Sequence, residues 1–308
     1  MEISLDPASN QCGICASGNL KAFEATAYDV VSPDVVSIVE CRDCGFAWQY
    51  PLRRSEAESV QHFDKNYALQ GDGRSDYFKH DRKIAIAQLE LGFVQQLPIQ
   101  GNNLLDLGAG AGMFAEVASA NGFTVTALDP ALDGALVADN KNITAIRGTV
   151  ESLPKHEMYD VITMWDVIEH MTTPVEILRQ AKMHLKPGGW LVVETGNYKS
   201  TARVRGGLNH WIYQQDHRWY FSPESMTQVL ESLGFTEIIR SQKTLRPGWE
   251  GKVGYAGPSL FELLKSVSRQ PQKSRARVLE YLELSRAKTW SMPGIEIFAL
   301  AAKRPIQD

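Results

Sequence analysis

The stretch Leu104-Leu105-Asp106-Leu107-Gly108-Ala109-Gly110-Ala111-Gly112 decides how this chain folds. A short apolar run ends in closely spaced glycines, which reads as a buried strand feeding a tight loop at the carboxyl edge of a parallel sheet. A second apolar run, Phe123-Thr124-Val125-Thr126-Ala127-Leu128, ends in an acid, Asp129. Glycines let backbone approach a ligand closely, and an acid at the end of the next strand accepts hydrogen bonds from two ribose hydroxyls. The pair describes a nucleotide site. The bland alternatives are a strand-to-helix turn without a ligand and, for Asp129, a helix cap ahead of Pro130.

A dinucleotide fingerprint needs G-x-G-x-x-G, with helix amides aimed at a pyrophosphate. Here the glycines fall as G-x-G-x-G, and Met113 occupies the place of the third glycine. Asp106, just ahead of the loop, repels a phosphate but suits a cation. A ligand with a ribose, a positive charge and no phosphate fits better than NAD, and S-adenosylmethionine has those properties.

Further motifs follow in order. They are Gly148-Thr149-Val150-Glu151-Ser152-Leu153-Pro154, then Tyr159-Asp160-Val161-Ile162-Thr163-Met164-Trp165-Asp166-Val167-Ile168-Glu169-His170, then Leu185-Lys186-Pro187-Gly188-Gly189 leading into Trp190-Leu191-Val192-Val193-Glu194. With these, the chain resembles a class I S-adenosylmethionine-dependent methyltransferase over residues 100 to 240 and the last strand. The resemblance implies a cofactor site built from Asp106, Gly108, Ala109, Gly110, Gly112, Asp129, Pro130, Thr149, Val150, Glu151 and Trp165. Thr149 departs from the pattern, since many relatives carry an acid there against the adenine amino group.

All four cysteines lie near the start, as Cys12-Gly13-Ile14-Cys15 and Cys41-Arg42-Asp43-Cys44-Gly45. Two C-x-x-C knuckles at this separation match one tetrahedral zinc held by four thiolates, with Gly13 and Gly45 permitting the tight turns. Four thiolates close the coordination sphere, so the ion is structural. The competing readings are two disulfides or a redox motif. No secretory signal is apparent, which favours a reducing compartment and disfavours disulfides. Residues 1–50 hold two basic residues (Lys21, Arg42) against seven acidic ones. That balance, with the thiolates more negative still, disfavours nucleic acid as a partner. The region also resembles an N-terminal zinc-binding segment of bacterial methyltransferases acting on sugars, polysaccharide precursors and secondary metabolites.

The chain has 308 residues, 44% hydrophobic and 22% charged, with a net charge of −4. These values suit a globular protein of one large α/β domain with a small appendage, and imply no attraction to anionic membrane. No window approaches the ~18 apolar residues of a membrane helix, so the expected location is the cytoplasm.

The expected architecture is α/β: a Rossmann-like, doubly wound, mostly parallel sheet with a small N-terminal zinc ribbon. The ribbon takes residues 1–50, a helical connector or lid 51–100, and the cofactor-binding domain 101–308. Leu89, Phe93, Val94 and Leu97 are spaced to cover one helix face. Strands are expected near 103–107, 123–128, 143–147, 159–165, 190–195, 235–242 and 295–301. By the resemblance the last is antiparallel. An insertion at about 244–290 carries a basic stretch, read as a solvated helix face or a patch for an anionic acceptor.

Acceptor groups should project beyond the carboxyl ends of the fourth and fifth strands. The segment His210-Trp211-Ile212-Tyr213-Gln214-Gln215-Asp216-His217-Arg218-Trp219-Tyr220-Phe221-Ser222 offers aromatics to line a pocket and imidazoles to take a proton. Part of it resembles the acid-His-x-x-Tyr-Phe-Ser segment of related enzymes, which implies His217 as base. A Tyr-x-x-His pair in zinc-containing sugar C-methyltransferases points to Tyr213, although here the spacing is four residues. His170 is the third catalytic candidate. The structural alternative places His217 at the cap of the helix that begins near Pro223.

The reading is therefore methyl transfer from S-adenosylmethionine to a small molecule, with oxygen of a sugar, polysaccharide precursor or secondary metabolite as target. The alternatives are an RNA methyltransferase, a C- or N-methyltransferase of a nucleotide-sugar, and a non-catalytic cofactor-binding assembly module. Neither the acceptor nor the oligomeric state is written in these residues.

Overall fold

A computed structural model describes residues 3–27, 34–52, 58, 80–132, 141–241, 245 and 295–306. Apart from Leu245, the expected insertion at 244–290 lies outside them, as does most of the connector before residue 80.

The chain runs through β1 (Leu20–Ala27), β2 (Asp34–Cys41), β3 (Ala47–Gln49), α1 (His80–Val94), β4 (Asn103–Leu107), α2 (Met113–Ala120), β5 (Thr124–Asp129) and β6 (Ile143–Arg147). It continues through β7 (Tyr159–Trp165), α3 (Pro174–Met183), β8 (Leu185–Gly196), α4 (Thr201–Gly206), β9 (Trp219–Tyr220), α5 (Pro223–Ser232), β10 (Ile238–Arg240) and β11 (Ile297–Lys303).

The large sheet has the order β10-β11-β8-β7-β4-β5-β6. Its pairs from β8 to β6 are parallel, and β11 lies antiparallel to both β8 and β10. The strand order reverses between β4 and β7, so the ligand crevice of an open α/β sheet falls beyond their carboxyl ends.

Side chains alternate strictly across this sheet. Leu105, Leu107, Ile162, Met164, Leu191, Val193 and Leu300 share one core with residues of α3 and α5. Leu104, Val161, Trp190, Val192, Ala299 and Ala301 share the other with α1 and α2. Burial on both faces explains why the strands read as continuous apolar runs rather than alternating ones. The largest members contribute about 1.5–3 kcal/mol each in transfer free energy.

Three strand boundaries differ from expectation by more than one residue. The fifth parallel strand starts at Leu185, because Lys186–Gly189 bulges against β7 while staying bonded to the chain end: Gly188 donates to the Arg304 carbonyl and Arg304 to that of Gly189. Gly188 takes a φ of +79°, which suits this bulge. The last strand begins two residues late because Asn197 captures the carbonyls of Ile295 (2.8 Å) and Glu296 (2.6 Å). The strand expected at 235–242 shortens to Ile238–Arg240. Helix α5 starts as read, but Ser222 caps it by accepting from the Ser225 amide.

The small sheet has the order β1-β2-β3-β9, entirely antiparallel. Its fourth strand comes from the segment far along the chain that holds the histidines. Gln49, only 1% exposed, donates its amide to the carbonyls of Gln214 (3.3 Å), Gln215 (3.4 Å) and His217 (3.4 Å). Its backbone N–H donates to the Arg218 carbonyl at 2.8 Å. Phe46, Trp48, Trp219 and Phe221 pack together beneath this seam. Among the described residues, no helix is long and apolar enough to cross a membrane.

Gln49→Ala leaves buried carbonyls unsatisfied and should cost about 1–3 kcal/mol. We expect a lower urea midpoint at constant m-value, with faster amide exchange over 212–218. An unchanged midpoint and unchanged exchange would remove Gln49 as the anchor of that loop.

Candidate active site

The glycine loop leaves β4 with Gly108, Gly110 and Gly112 at φ values of +84°, +54° and +79°. At Gly108 space is as restrictive as conformation: a Cβ there would meet Val167 Cγ2 at 2.3 Å. The amides of Gly108 and Ala109 donate to the Leu128 carbonyl, which pins the loop against the end of β5. Gly112 then opens α2 in the left-handed region.

Asp129 braces the same loop. One carboxylate oxygen accepts from the Gly110 amide at 3.0 Å, and the other from the Ala131 amide at 2.7 Å. A carboxylate offers about four acceptor positions, so bracing and ribose binding are compatible roles. Pro130 follows it, half-buried.

Asp106 is the electrostatic centre of this end of the sheet. It is 1% exposed, and the Thr163 hydroxyl donates to one of its oxygens at 3.1 Å. Its other oxygen is buried with no partner among the described residues. Burial pushes its carboxyl up to about 8, with Glu90 and Asp129 adding smaller repulsions.

On the far side of the crevice, Val150 is buried in the loop after β6 while Thr149 and Glu151 are exposed. The Thr149 hydroxyl donates to the Glu151 carboxylate at 2.6 Å, and this bond holds Glu151 below the usual range. An acid therefore stands beside the threonine that replaces the family's acid. Trp165, at the end of β7, packs its ring on Phe114 at 5.0 Å.

The three catalytic candidates separate. His170 and His217 come edge to face with centroids 4.7 Å apart. Two strips of backbone do this: Arg218 N donates to the Glu169 carbonyl, its guanidinium to that of His170, and Trp219 Nε1 to that of Met171. His217 Nδ1 lies 2.8 Å from the Ile212 carbonyl, which can only accept, so Nδ1 carries the proton. Burial, then His170, drives this imidazole down to about 4. Tyr213 instead sits fully buried among Phe23, Tyr198 and Tyr220, in the aromatic core packed against the small sheet.

Glu169 belongs to the turn after the fourth strand, among the groups expected to project toward an acceptor, but its position in the sequence gives it no specific role. It is 3% exposed, and burial pushes it up to about 7. Asp166, three residues earlier, takes a φ of +53°, a costly conformation for a residue other than glycine. The adjacent Glu-His pair, with a second Asp-His pair in the acceptor segment, is the signal that could have joined these residues.

The four cysteines form a cluster with all sulfurs within 4.8 Å. Cys12 faces Cys44 at 3.5 Å and Cys15 faces Cys41 at 3.6 Å, contacts across the knuckles rather than within them. Both knuckles use one backbone pattern. Ala16 N donates to the Cys12 carbonyl as Gly45 N does to that of Cys41, and Ala16 and Gly45 both have positive φ. The counterpart of Gly45 is thus Ala16, not Gly13. Gly13 is needed for space, since a Cβ would meet the Ser4 carbonyl at 2.2 Å. Zinc–sulfur bonds of about 2.3 Å imply sulfur separations of about 3.8 Å, so these four residues fit the ion.

A glycine loop, a braced acid and a buried acid at the reversal point of a seven-stranded sheet with antiparallel β11 define the class I methyltransferase fold. A methyltransferase-domain family model matches residues 78–239, and the chain belongs to that family. It is 32% identical over 156 residues to a ubiquinone biosynthesis O-methyltransferase of Methylobacterium nodulans, covering 46% of this chain and 63% of that one. A namesake from Caulobacter vibrioides is 31% identical over 172 residues, covering 48% and 65%. The match thus spans under two thirds of these relatives' length. Among solved structures, a methyltransferase from Thermotoga maritima, described as a possible histamine N-methyltransferase, aligns with TM-score 0.51 at 17% identity, covering 80% of this chain and 99% of that one. The 1,6-didemethyltoxoflavin N1-methyltransferase of Burkholderia thailandensis, solved with S-adenosylhomocysteine, aligns at 0.50 and 15%, covering 84% and 96%.

Proposed function

We propose that this chain transfers a methyl group from S-adenosylmethionine to a hydroxyl oxygen of a small metabolite, in the class of sugars, polysaccharide precursors and secondary metabolites. Asp106 carries the proposal. A buried carboxylate oxygen without a partner among the described residues, beside a G-x-G-x-G loop rather than a dinucleotide fingerprint, matches a cationic nucleoside. The names of the sequence relatives support oxygen as the methylated atom.

Bound S-adenosylmethionine supplies an electrophilic methyl group on a sulfonium. Gly108 to Gly112 let the backbone approach it, Asp106 meets its positive end, and Asp129 and Pro130 take the ribose. Val150, Thr149 and Glu151 flank the adenine, with Glu151 in reach of the role that the family gives to the acid at position 149. Trp165 walls the site. On the acceptor side, His170 and His217 stand beside Glu169 and are the groups that promote loss of the hydroxyl proton, as bases or by holding a group that acidifies it. Tyr213, whose ring packs among other aromatics, shapes that loop. Residues Cys12, Cys15, Cys41 and Cys44 would hold zinc, which supplies a rigid crosslink and no open position for chemistry.

The pH dependence follows from Asp106. Its folded pKa of about 8 leaves it protonated at pH 6.5, where the ligand's own amino group is charged. Docking a cation must ionise it. Calorimetry at pH 6.5 in two buffers of different ionisation heat should show close to one proton released per cofactor bound, and affinity should fall as pH drops below about 8. Asp106→Asn should abolish the release. Binding by the wild type without proton release would sink this role.

Purified protein should contain one zinc per chain, and Cys44→Ser should lower both zinc content and melting temperature. Metal-free wild type would remove the zinc assignment.

The activity itself is tested by label transfer from methyl-labelled S-adenosylmethionine into a deproteinised extract. Label in the small-molecule fraction, lost in Asp129→Ala, is the expected result. Label confined to RNA would overturn the acceptor class.

A further inference from the structure

We infer that Glu169, His170 and His217 form a binding site for a divalent transition-metal ion, separate from the four cysteines and placed where the acceptor must lie. Each offers a ligand atom, and the three atoms lie within 4.8 Å of one another. They come from two segments, the turn after β7 and the loop before β9, joined by the backbone bonds of Arg218 and the indole of Trp219.

The tautomers are those of metal ligands. A ligating imidazole binds through one nitrogen and donates its other N–H to a carbonyl or carboxylate. His217 donates Nδ1–H to the Ile212 carbonyl at 2.8 Å, which leaves the lone pair on Nε2. His170 Nδ1 lies 3.2 Å from the Asp216 carbonyl and 3.6 Å from the Asp216 carboxylate. The Glu169 oxygen Oε2 is buried with no partner among the described residues, an arrangement rarely tolerated unless something absent completes it. The left-handed turn at Asp166 adds backbone strain just ahead of two of the three ligands.

Donor type selects the ion. Two imidazoles and one carboxylate suit zinc, manganese, iron or cobalt, whereas magnesium and calcium prefer oxygen throughout. Three protein ligands leave positions open, unlike the closed four-thiolate set. The Glu169 carboxylate and the nearby Asp216 carboxylate offset the ion's charge, and the open coordination positions suit an oxygen nucleophile.

The ion's role rests on the methyl-transfer reading. An acceptor hydroxyl bound there is acidified and loses its proton to solvent. The oxygen lone pair then forms the bond to the methyl carbon. The carbon–sulfur bond breaks with its electron pair returning to sulfur, and no redox partner is required. His217 is then a ligand rather than the base itself.

The test is cobalt titration of full-length, zinc-replete protein. We expect one Co2+ per chain beyond the cysteine-bound zinc, with visible d–d bands and no thiolate charge-transfer absorption. Glu169→Gln and His217→Ala should each weaken cobalt binding at least tenfold with zinc content unchanged. No cobalt bound by the wild type overturns the site, as does thiolate charge-transfer or undiminished affinity in both variants. If His217→Ala fails to fold, Glu169→Gln and the wild-type spectrum still decide. Calorimetry with S-adenosylmethionine on the same samples separates the two ideas. Cofactor binding without cobalt binding removes only the metal site, and cobalt binding without cofactor binding removes only the methyl-transfer reading.

Discussion

The pairing of β3 with β9 is the constraint on which the histidine-bearing side of this crevice depends. A two-residue strand cannot stand alone, because it closes too few hydrogen bonds to offset its ordering entropy. It exists here because Trp48 and Ala47 supply a ladder at Trp219 and Tyr220, and because Phe46 and Phe221 complete the apolar seam. From that ladder the chain is held in register back to His217, which Gln49 fixes through its carbonyl. The two imidazoles meet as a result, although 46 residues separate them.

The cofactor side is organised by a different economy, that of charge in a dry place. The opened end of the sheet carries two acids with opposite assignments. Asp129 braces the backbone of its own loop, and Asp106 keeps one oxygen without a partner among the described residues. Burial of an isolated carboxylate is costly enough to favour the protonated form, which is why Asp106 is pushed up to about 8. The rigid loop beside it is held by geometry instead, since Val167 fills the space that any side chain on Gly108 would need.

Most of the sheet was legible because its residues are locally consistent: apolar runs for strands buried on both faces, glycines where φ is positive, and Ser222-Pro223 at a helix start. The four cysteines were legible for the same reason, as chemistry concentrated in short spacings. What the sequence could not carry was contact between distant segments. Nothing near Gln49 announces that its side chain ends on residues 214–217, and nothing in Tyr213 distinguishes a pocket tyrosine from one packed among aromatics. The crowding of Gly13 by the Ser4 carbonyl is a tertiary fact that the spacing does not carry, and the left-handed turn of that knuckle falls on Ala16, whose side chain hides it. Glu169 was named but not assigned, because its unmatched oxygen becomes visible only once the surrounding backbone is in place.

Two further contacts bind the cysteine-bearing sheet to the end of β8. The Tyr198 hydroxyl donates to Glu40 at 2.7 Å, and the Lys199 stem lies so near Gly45 that a Cβ there would sit 2.8 Å from it. Together with Gln49 they make the first fifty residues part of the foundation beneath residues 198–220 rather than a detachable cassette. Swapping this segment between relatives, or randomising only the loops around the crevice, therefore works against a hidden dependence. Residues 40, 45 and 49 belong in the same library as residues 210–220.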